Sequence, residues 1–210
     1  MNPRRGVLIV PVLVAALVLP ACKSKKTYGS PQAVFDAAAA AAAKQDWAAF
    51  MNCLTDESQD KFTFTLAVSA NFIKSIASMD KEKGAEVAKA IDEAMKKHGV
   101  NEANLPKAMF NKSAPQDERE MMRKVVGPIK DKPVFVGEVM AAVKKLVNKE
   151  PQQEFAGTLT NVKIEGDEAT ATVVRKTPNK ETQEPMAFRK VGGGWKIELF
   201  GMPMGGMGPK

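Results

Sequence analysis

The sequence predicts an α+β fold, with N-terminal helices packed on a C-terminal antiparallel sheet of about four strands. Two observations carry that prediction. Up to Glu150-Pro151 the apolar residues recur at threes and fours, the spacing of one helix face. Beyond it the period falls to two, and short runs are separated by turn residues, as hairpin-linked strands require. The 210 residues suffice for one ordinary domain with a sizeable core, assigned to residues 30–200.

Arg4 and Arg5 precede Gly6 to Leu19 (GVLIVPVLVAALVL), an uncharged apolar run that ends at Pro20-Ala21-Cys22. A stable membrane span needs about 20 apolar residues, so residues 1–21 read as an export signal. Leu19-Pro20-Ala21-Cys22 resembles the bacterial lipobox. That resemblance implies a diacylglycerol thioether on Cys22, cleavage just before it, and a mature lipoprotein held by two or three acyl chains. Several chains bind a membrane durably where one binds marginally. The resemblance places the chain in the cell envelope, facing the periplasm or exterior; Lys23 instead of aspartate after Cys22 implies the outer membrane where two membranes exist. Residues 22–29 form a polar tether with lysines at 23, 25 and 26. Either these lysines press the domain onto an anionic surface, each adding on the order of 1 kcal/mol, or the tether is a solvated linker.

Ser30 is placed to cap a helix over Pro31 to Lys44, with Pro31 as its first residue and Val34 and Phe35 anchoring one side. Its Ala37 to Ala43 run has the highest helix propensity and admits close backbones. Asp46 caps a short helix carrying Trp47, Phe50, Met51 and Leu54. Asp56 and Gln59 have capping-box spacing ahead of a stripe of Phe62, Leu66, Ala70, Ile73 and Ile76, broadened by Phe72. Lys81 to Lys97 is amphipathic through Val87, Ala88, Ile91, Ala94 and Met95 and stops at Gly99. Ser113 and Gln116 have capping-box spacing before a short acidic-to-basic helix ending near Lys124. Pro133 opens a last helix, striped by Val136, Val139, Met140, Val143, Leu146 and Val147.

Strands are expected over Phe155 to Ile164, Ala169 to Lys176, Glu184 to Val191 and Trp195 to Phe200, joined by turns at Glu165-Gly166-Asp167, Pro178-Asn179-Lys180 and Gly192-Gly193-Gly194. In the last strand Trp195, Ile197 and Leu199 point to the core, and Lys196 and Glu198 to water. Asp46-Trp47, the Ile164-x-Gly166-Asp167-x-Ala169 hairpin and the terminal Gly193-Gly194-Trp195-Lys196-Ile197 are similar to the nuclear-transport-factor-2-like (SnoaL-like) superfamily. The resemblance spans Ser30 to Asp56 and Phe155 to Phe200. It implies a curved sheet wrapped into a cone around helices, with residues 80–149 as an extra helical stretch. That superfamily includes isomerases, dehydratases and non-catalytic lipoprotein domains, so the fold alone does not select a function.

The chemistry-bearing residues are few. The single histidine, His98, sits at a helix end where a cation suits the dipole, and a nucleophilic triad needs an imidazole elsewhere. An isomerase-like site needs a carboxylate base facing a donor; Asp46 reads first as a cap, and the only tyrosine, Tyr28, falls in the tether. With Cys22 acylated, Cys53 has no disulfide partner and reads as a small buried residue, or as a redox or metal thiol. No zinc or calcium ligand spacing occurs, and no cofactor is expected. The Met202, Met204 and Met207 thioethers of the 201–210 tail either bind Cu(I) or belong to a disordered end. Trp47, Phe50, Phe72, Phe188 and Trp195 line a candidate apolar-ligand pocket or are simply core. The net charge of +7, about +5 without Arg4 and Arg5, suits anionic lipid or wall polymer better than nucleic acid in the envelope. The reading is an envelope lipoprotein that binds a small apolar ligand or an envelope protein without catalysis. The alternatives are an isomerase or hydrolase using a cone pocket, and Cu(I) handling by the tail.

Overall fold

The computed structural model describes residues 27–77, 84–105, 115–146, 157–177 and 180–199. Among the described residues, six α-helices precede four strands: α1 (Pro31–Ala43), α2 (Trp47–Asn52), α3 (Asp56–Ala77), α4 (Gly84–Lys97), α5 (Pro115–Val126), α6 (Lys132–Leu146), then β1 (Thr158–Glu165), β2 (Glu168–Thr177), β3 (Lys180–Val191) and β4 (Gly194–Glu198). The helices pack on an open antiparallel sheet in the order β1-β2-β3-β4, the α+β arrangement expected from the change of period.

Local chemistry explains most helix starts. Ser30 Oγ accepts from the Ala33 N–H at 3.1 Å and Asp46 Oδ1 from the Ala49 N–H at 3.0 Å, so both act as caps. Between them Gln45 adopts a left-handed φ of 57°, which ends α1. The cap of α3 differs from the expected box: Thr55 Oγ1 accepts from the Ser58 N–H at 3.2 Å. Gln59 instead donates from Nε2 to the Met51 carbonyl at 3.0 Å, because α2 ends beside it. Helix α6 likewise starts earlier than Pro133, with Asp131 Oδ1 accepting from the Val134 N–H at 3.1 Å. Helix α4 is followed by Gly99 at φ 74°. The expected Ser113 cap and the strand start at Phe155 lie outside the described residues, as do Pro178-Asn179, Phe200 and the 201–210 tail.

In the sheet, Ala169 stands opposite Phe188, and Phe188 opposite Ile197; Leu159 stands opposite Val173. These residues are buried and join one core with Val34, Phe35, Ala38, Ala41 and Ala42 of α1, which packs on β4 and β1. The alanine run thus lets a helix lie close on a sheet, as its small side chains suggested. The β1–β2 register breaks between Thr160 and Lys163, where Asn161 has φ 54°, a bulge that blunts the free edge. Gly192 and Gly193, at φ 59° and 82°, make the β3–β4 turn, a conformation side-chain-bearing residues avoid.

The other edge, β4, is covered by two distant segments. Trp195 N–H donates to the Tyr28 carbonyl at 2.8 Å, Ile197 N–H to the Cys53 carbonyl at 2.8 Å, and Thr55 N–H to the Ile197 carbonyl at 3.0 Å. The folded body therefore takes in Thr27 and Tyr28, which the sequence assigns to the tether. Helices α3, α4, α5 and α6 form a second layer, in which α3 contacts α4, α5 and α6.

Two further expectations are corrected. Phe72 and Ile76 are 50 % and 47 % exposed, because α3 buries the side carrying Thr63, Ala67 and Ala70 and both project from the opposite side. Thr63 is tolerated inside because its hydroxyl donates to the Gln59 carbonyl at 2.7 Å. Glu198, expected on a wet face, is only 9 % exposed and ion-pairs with Arg189 at 2.8 Å.

Candidate functional site

Cys22 lies outside the described residues. Of the five aromatics proposed as a pocket, four are buried in the core: Trp47, Phe50, Phe188 and Trp195. Trp47 and Phe50 meet edge-on with ring centroids 5.9 Å apart, and Phe50 meets Phe62 at 5.3 Å. Such contacts fill space with ring against ring. Phe72 is not brought to them, for the helical reason already given.

Cys53 caps the end of α2 and is fully buried. Its thiol donates to Tyr28 Oη at 3.4 Å or to the Ala49 carbonyl at 3.3 Å. Burial is the main cause that raises the Tyr28 hydroxyl from 10.0 to about 12, with the Cys53 contact adding to it. The Tyr28 hydroxyl therefore stays protonated near neutral pH.

His98 follows α4 and its side chain is 9 % exposed. Its Nε2 lies 3.2 Å from Glu138 Oε2 on α6, and its ring meets Phe135 edge-on at 5.4 Å. Lys97 ion-pairs with Glu138 at 2.5 Å. Glu138 is held below the usual carboxylate range, first by the Lys97 hydrogen bond and then, against burial, by His98. This group joins α4 to α6. Asp46 is occupied by its capping bond.

Two clefts flank α5. The first, of about 280 Å³, is lined by Ala103, Asn104, Glu120, Met121 and Lys124. Its two charges neutralise each other, with Lys124 Nζ 2.7 Å from Glu120. The second, of about 230 Å³, lies between α3, α5 and the turn into α6. Arg119, Met122, Arg123 and Val126 reach it from one face of α5, at positions i, i+3, i+4 and i+7. Val126 and Ile129 are each 3 % exposed and give it an apolar floor.

Charge in this second cleft is unbalanced. Lys132 ion-pairs with Asp60, the one carboxylate in the lining, without the alignment of a hydrogen bond. Arg119 and Arg123 are exposed and make no ion pair among the described residues. Arg119 acts on Glu57 at longer range; Glu57 is lowered chiefly by its hydrogen bond from Lys61. Two arginine forks one turn apart over an apolar floor can grip a planar or tetrahedral oxyanion in a bidentate manner. The sequence shows only an acidic-to-basic helix here, although the i, i+3, i+4, i+7 spacing of these four residues was available to find the face.

Among the described residues, no group of three or more His, Cys, Asp or Glu could hold a metal ion, and no helix is long and apolar enough to cross a membrane. Comparison with protein-family models, with curated proteins and with solved structures finds no match in any of the three.

Proposed function

We propose that this chain is an envelope lipoprotein, acylated at Cys22, whose body is a non-catalytic module of the nuclear-transport-factor-2-like kind that binds an anionic ligand. The observation that carries the binding reading is the cleft in which Arg119 and Arg123, which make no ion pair among the described residues, face an apolar floor. Lys132 adds positive potential but is already engaged by Asp60. A phosphate- or carboxylate-bearing molecule with a short apolar portion fits that combination, with the arginines on the oxyanion and Val126 and Ile129 under the apolar part. The aromatic set supports a small apolar ligand less directly, since Trp47 and Phe50 pack against each other. A catalytic reading has less support, since Asp46, Tyr28 and His98 are each engaged in a structural bond.

Calorimetric titration with an alkyl phosphate tests the cleft. Arg119→Glu together with Arg123→Glu is expected to reduce affinity at least about tenfold, the loss of roughly one charge-assisted hydrogen bond or more. Both residues are exposed, so the helical circular dichroism should persist; undiminished binding by the folded double variant would remove this site. The anchor has its own test. Cys22→Ser should abolish incorporation of a palmitate analogue, and continued labelling of the variant rejects acylation at that position.

A further inference from the structure

Helix α3 has one side turned to the helical layer and one side that is not. Asp60 and Lys74 mark the first: Lys132 of α6 pairs with Asp60, and Lys74 pairs with Asp92 of α4 and with Glu102 of the 3-10 turn at Glu102–Asn104. Phe62, Leu66, Ser69, Phe72, Ile73 and Ile76 recur at threes and fours on the other side. At 3.6 residues per turn, Ser69 lies roughly 140–180° around the axis from both charged residues. Phe62, Leu66 and Ile73 are partly buried against the core, while Phe72 and Ile76 are 50 % and 47 % exposed. The result is an uncharged stripe about 21 Å long whose second half is open.

The chain leaves β4 at the start of that stripe. Leu199 N–H donates to Ser58 Oγ at 2.8 Å, and Ser58, four residues before Phe62, lies on the same side of α3. Leu54 and Ile197 are parallel neighbours, so β4 leaves the sheet in the direction in which the chain enters α3. Residues 200–210 (FGMPMGGMGPK) follow, with Phe200, Met202, Met204 and Met207 and no charge before Lys210. From Ser58 to Ile76 the helix rises about 27 Å. The eight residues from Leu199 to Met207 reach roughly 26–29 Å when extended, so the apolar side chains of this segment can span the stripe from end to end. Residues 106–114, which hold Met109 and Phe110, follow the turn that Lys74 grips on the opposite side of α3.

We propose that residues 200–210 lie along this side of α3, with Phe200 beside Phe62 and the methionines over Ser69, Phe72 and Ile76. Unbranched thioether side chains adapt to an irregular apolar surface. The Gly and Pro residues between them favour neither helix nor strand, so the backbone is free to follow the helix. Covering Phe72 and Ile76 removes apolar surface from water and offsets the entropy of ordering the segment, and neither partner buries a charge. The segment is favoured over a second copy of the chain because it is already held at Ser58, and a short flexible link gives an effective concentration in the millimolar range.

The methionines of the segment serve as reporters of this contact. In the full chain in detergent, oxidation of Met204 and Met207 to the sulfoxide by dilute hydrogen peroxide, read by peptide mass, should run several-fold slower than in a free peptide of residues 200–210. Phe72→Glu together with Ile76→Glu should return the rate to that of the peptide. Far-ultraviolet circular dichroism should be unchanged, because both side chains are exposed. Ser69→Glu, at the middle of the stripe, should have the same effect and stands in if the double variant does not fold. Oxidation of the parent at the free-peptide rate, or protection that survives these variants, overturns the docking. Protection that falls on dilution also overturns it, since the face would then join two copies of the chain.

Discussion

The two halves of the molecule are held together by different bonds. Around the sheet, α1 lies on the strands through alanines, and the β4 edge is closed by backbone hydrogen bonds from Tyr28, Cys53 and Thr55. Across the helical layer, side-chain ion pairs supplement the apolar contacts: Lys74 with Asp92 and Glu102, Lys97 and His98 with Glu138, Lys145 with Glu86, and Lys132 with Asp60. Backbone bonds depend little on side-chain identity. Exposed ion pairs each contribute little and exchange easily with ligand or solvent. The sheet half thus fixes Thr27 and Tyr28 to the body through backbone bonds, and the helical half presents charge in a cleft.

The largest expected effect comes from the residue that ties α2 to α3. Phe50 is 1 % exposed and packs on Trp47 and Phe62, so Phe50→Ala should cost about 3–5 kcal/mol in urea unfolding. A loss below 1 kcal/mol would mean that the halves are joined elsewhere. Gly194→Val tests the sheet half alone. Its side chain would meet the Thr27 backbone, and a cost of about 1–3 kcal/mol is expected, with faster proteolysis at the tether. Resistance equal to the parent would show that the tether end is not docked.

Tyr28 gives a smaller and pH-dependent signal. Its hydroxyl pKa is raised, so the fold favours the protonated form; the contribution is complete below pH 10 and is lost as pH rises toward about 12. Absorbance titration of this single tyrosine should show a midpoint near 12, and one near 10 would place it in solvent. Tyr28→Phe should cost about 1 kcal/mol.

Glu138→Gln should have the least effect, below about 1 kcal/mol at neutral pH, because its partner Lys97 is 62 % exposed. Glu138 is depressed, so its contribution is present above the ordinary carboxylate range and lost as pH falls through its folded value. The variant should lose that part of the parent's acid sensitivity. An unchanged acid unfolding profile would show that the α4–α6 joint is apolar only.

Much of this fold was legible because its signals are local. The Ser30 and Asp46 caps, Gly99 and the Gly192-Gly193 turn each depend on residues within a few positions. The α3 cap was missed by one residue, since Thr55 and Asp56 are both plausible and the choice turns on Gln59 being drawn to Met51. Of the candidate site, the aromatic members were visible as apolar residues, but which of them meet was not. Phe72 fits beside the stripe of Phe62, Leu66 and Ala70, and only the neighbours of α3 select the buried side. The arginine face of α5 was visible as spacing, yet its opposition to Asp60 and Lys132 requires α3 and α6 to be in place.

By itself, then, the sequence determined which segments are helix and which are strand, where most of them turn, and that helices precede an antiparallel sheet. Periodicity and capping act over one or two turns of chain, within reach of the pattern. Only the tertiary structure decided that Tyr28 belongs to the body, that Glu198 is buried against Arg189, and that Arg119 and Arg123 overlook a cleft. Each of these depends on chain segments far apart in sequence brought together by a shared core, and no local pattern specifies which distant backbone or charge will be the neighbour.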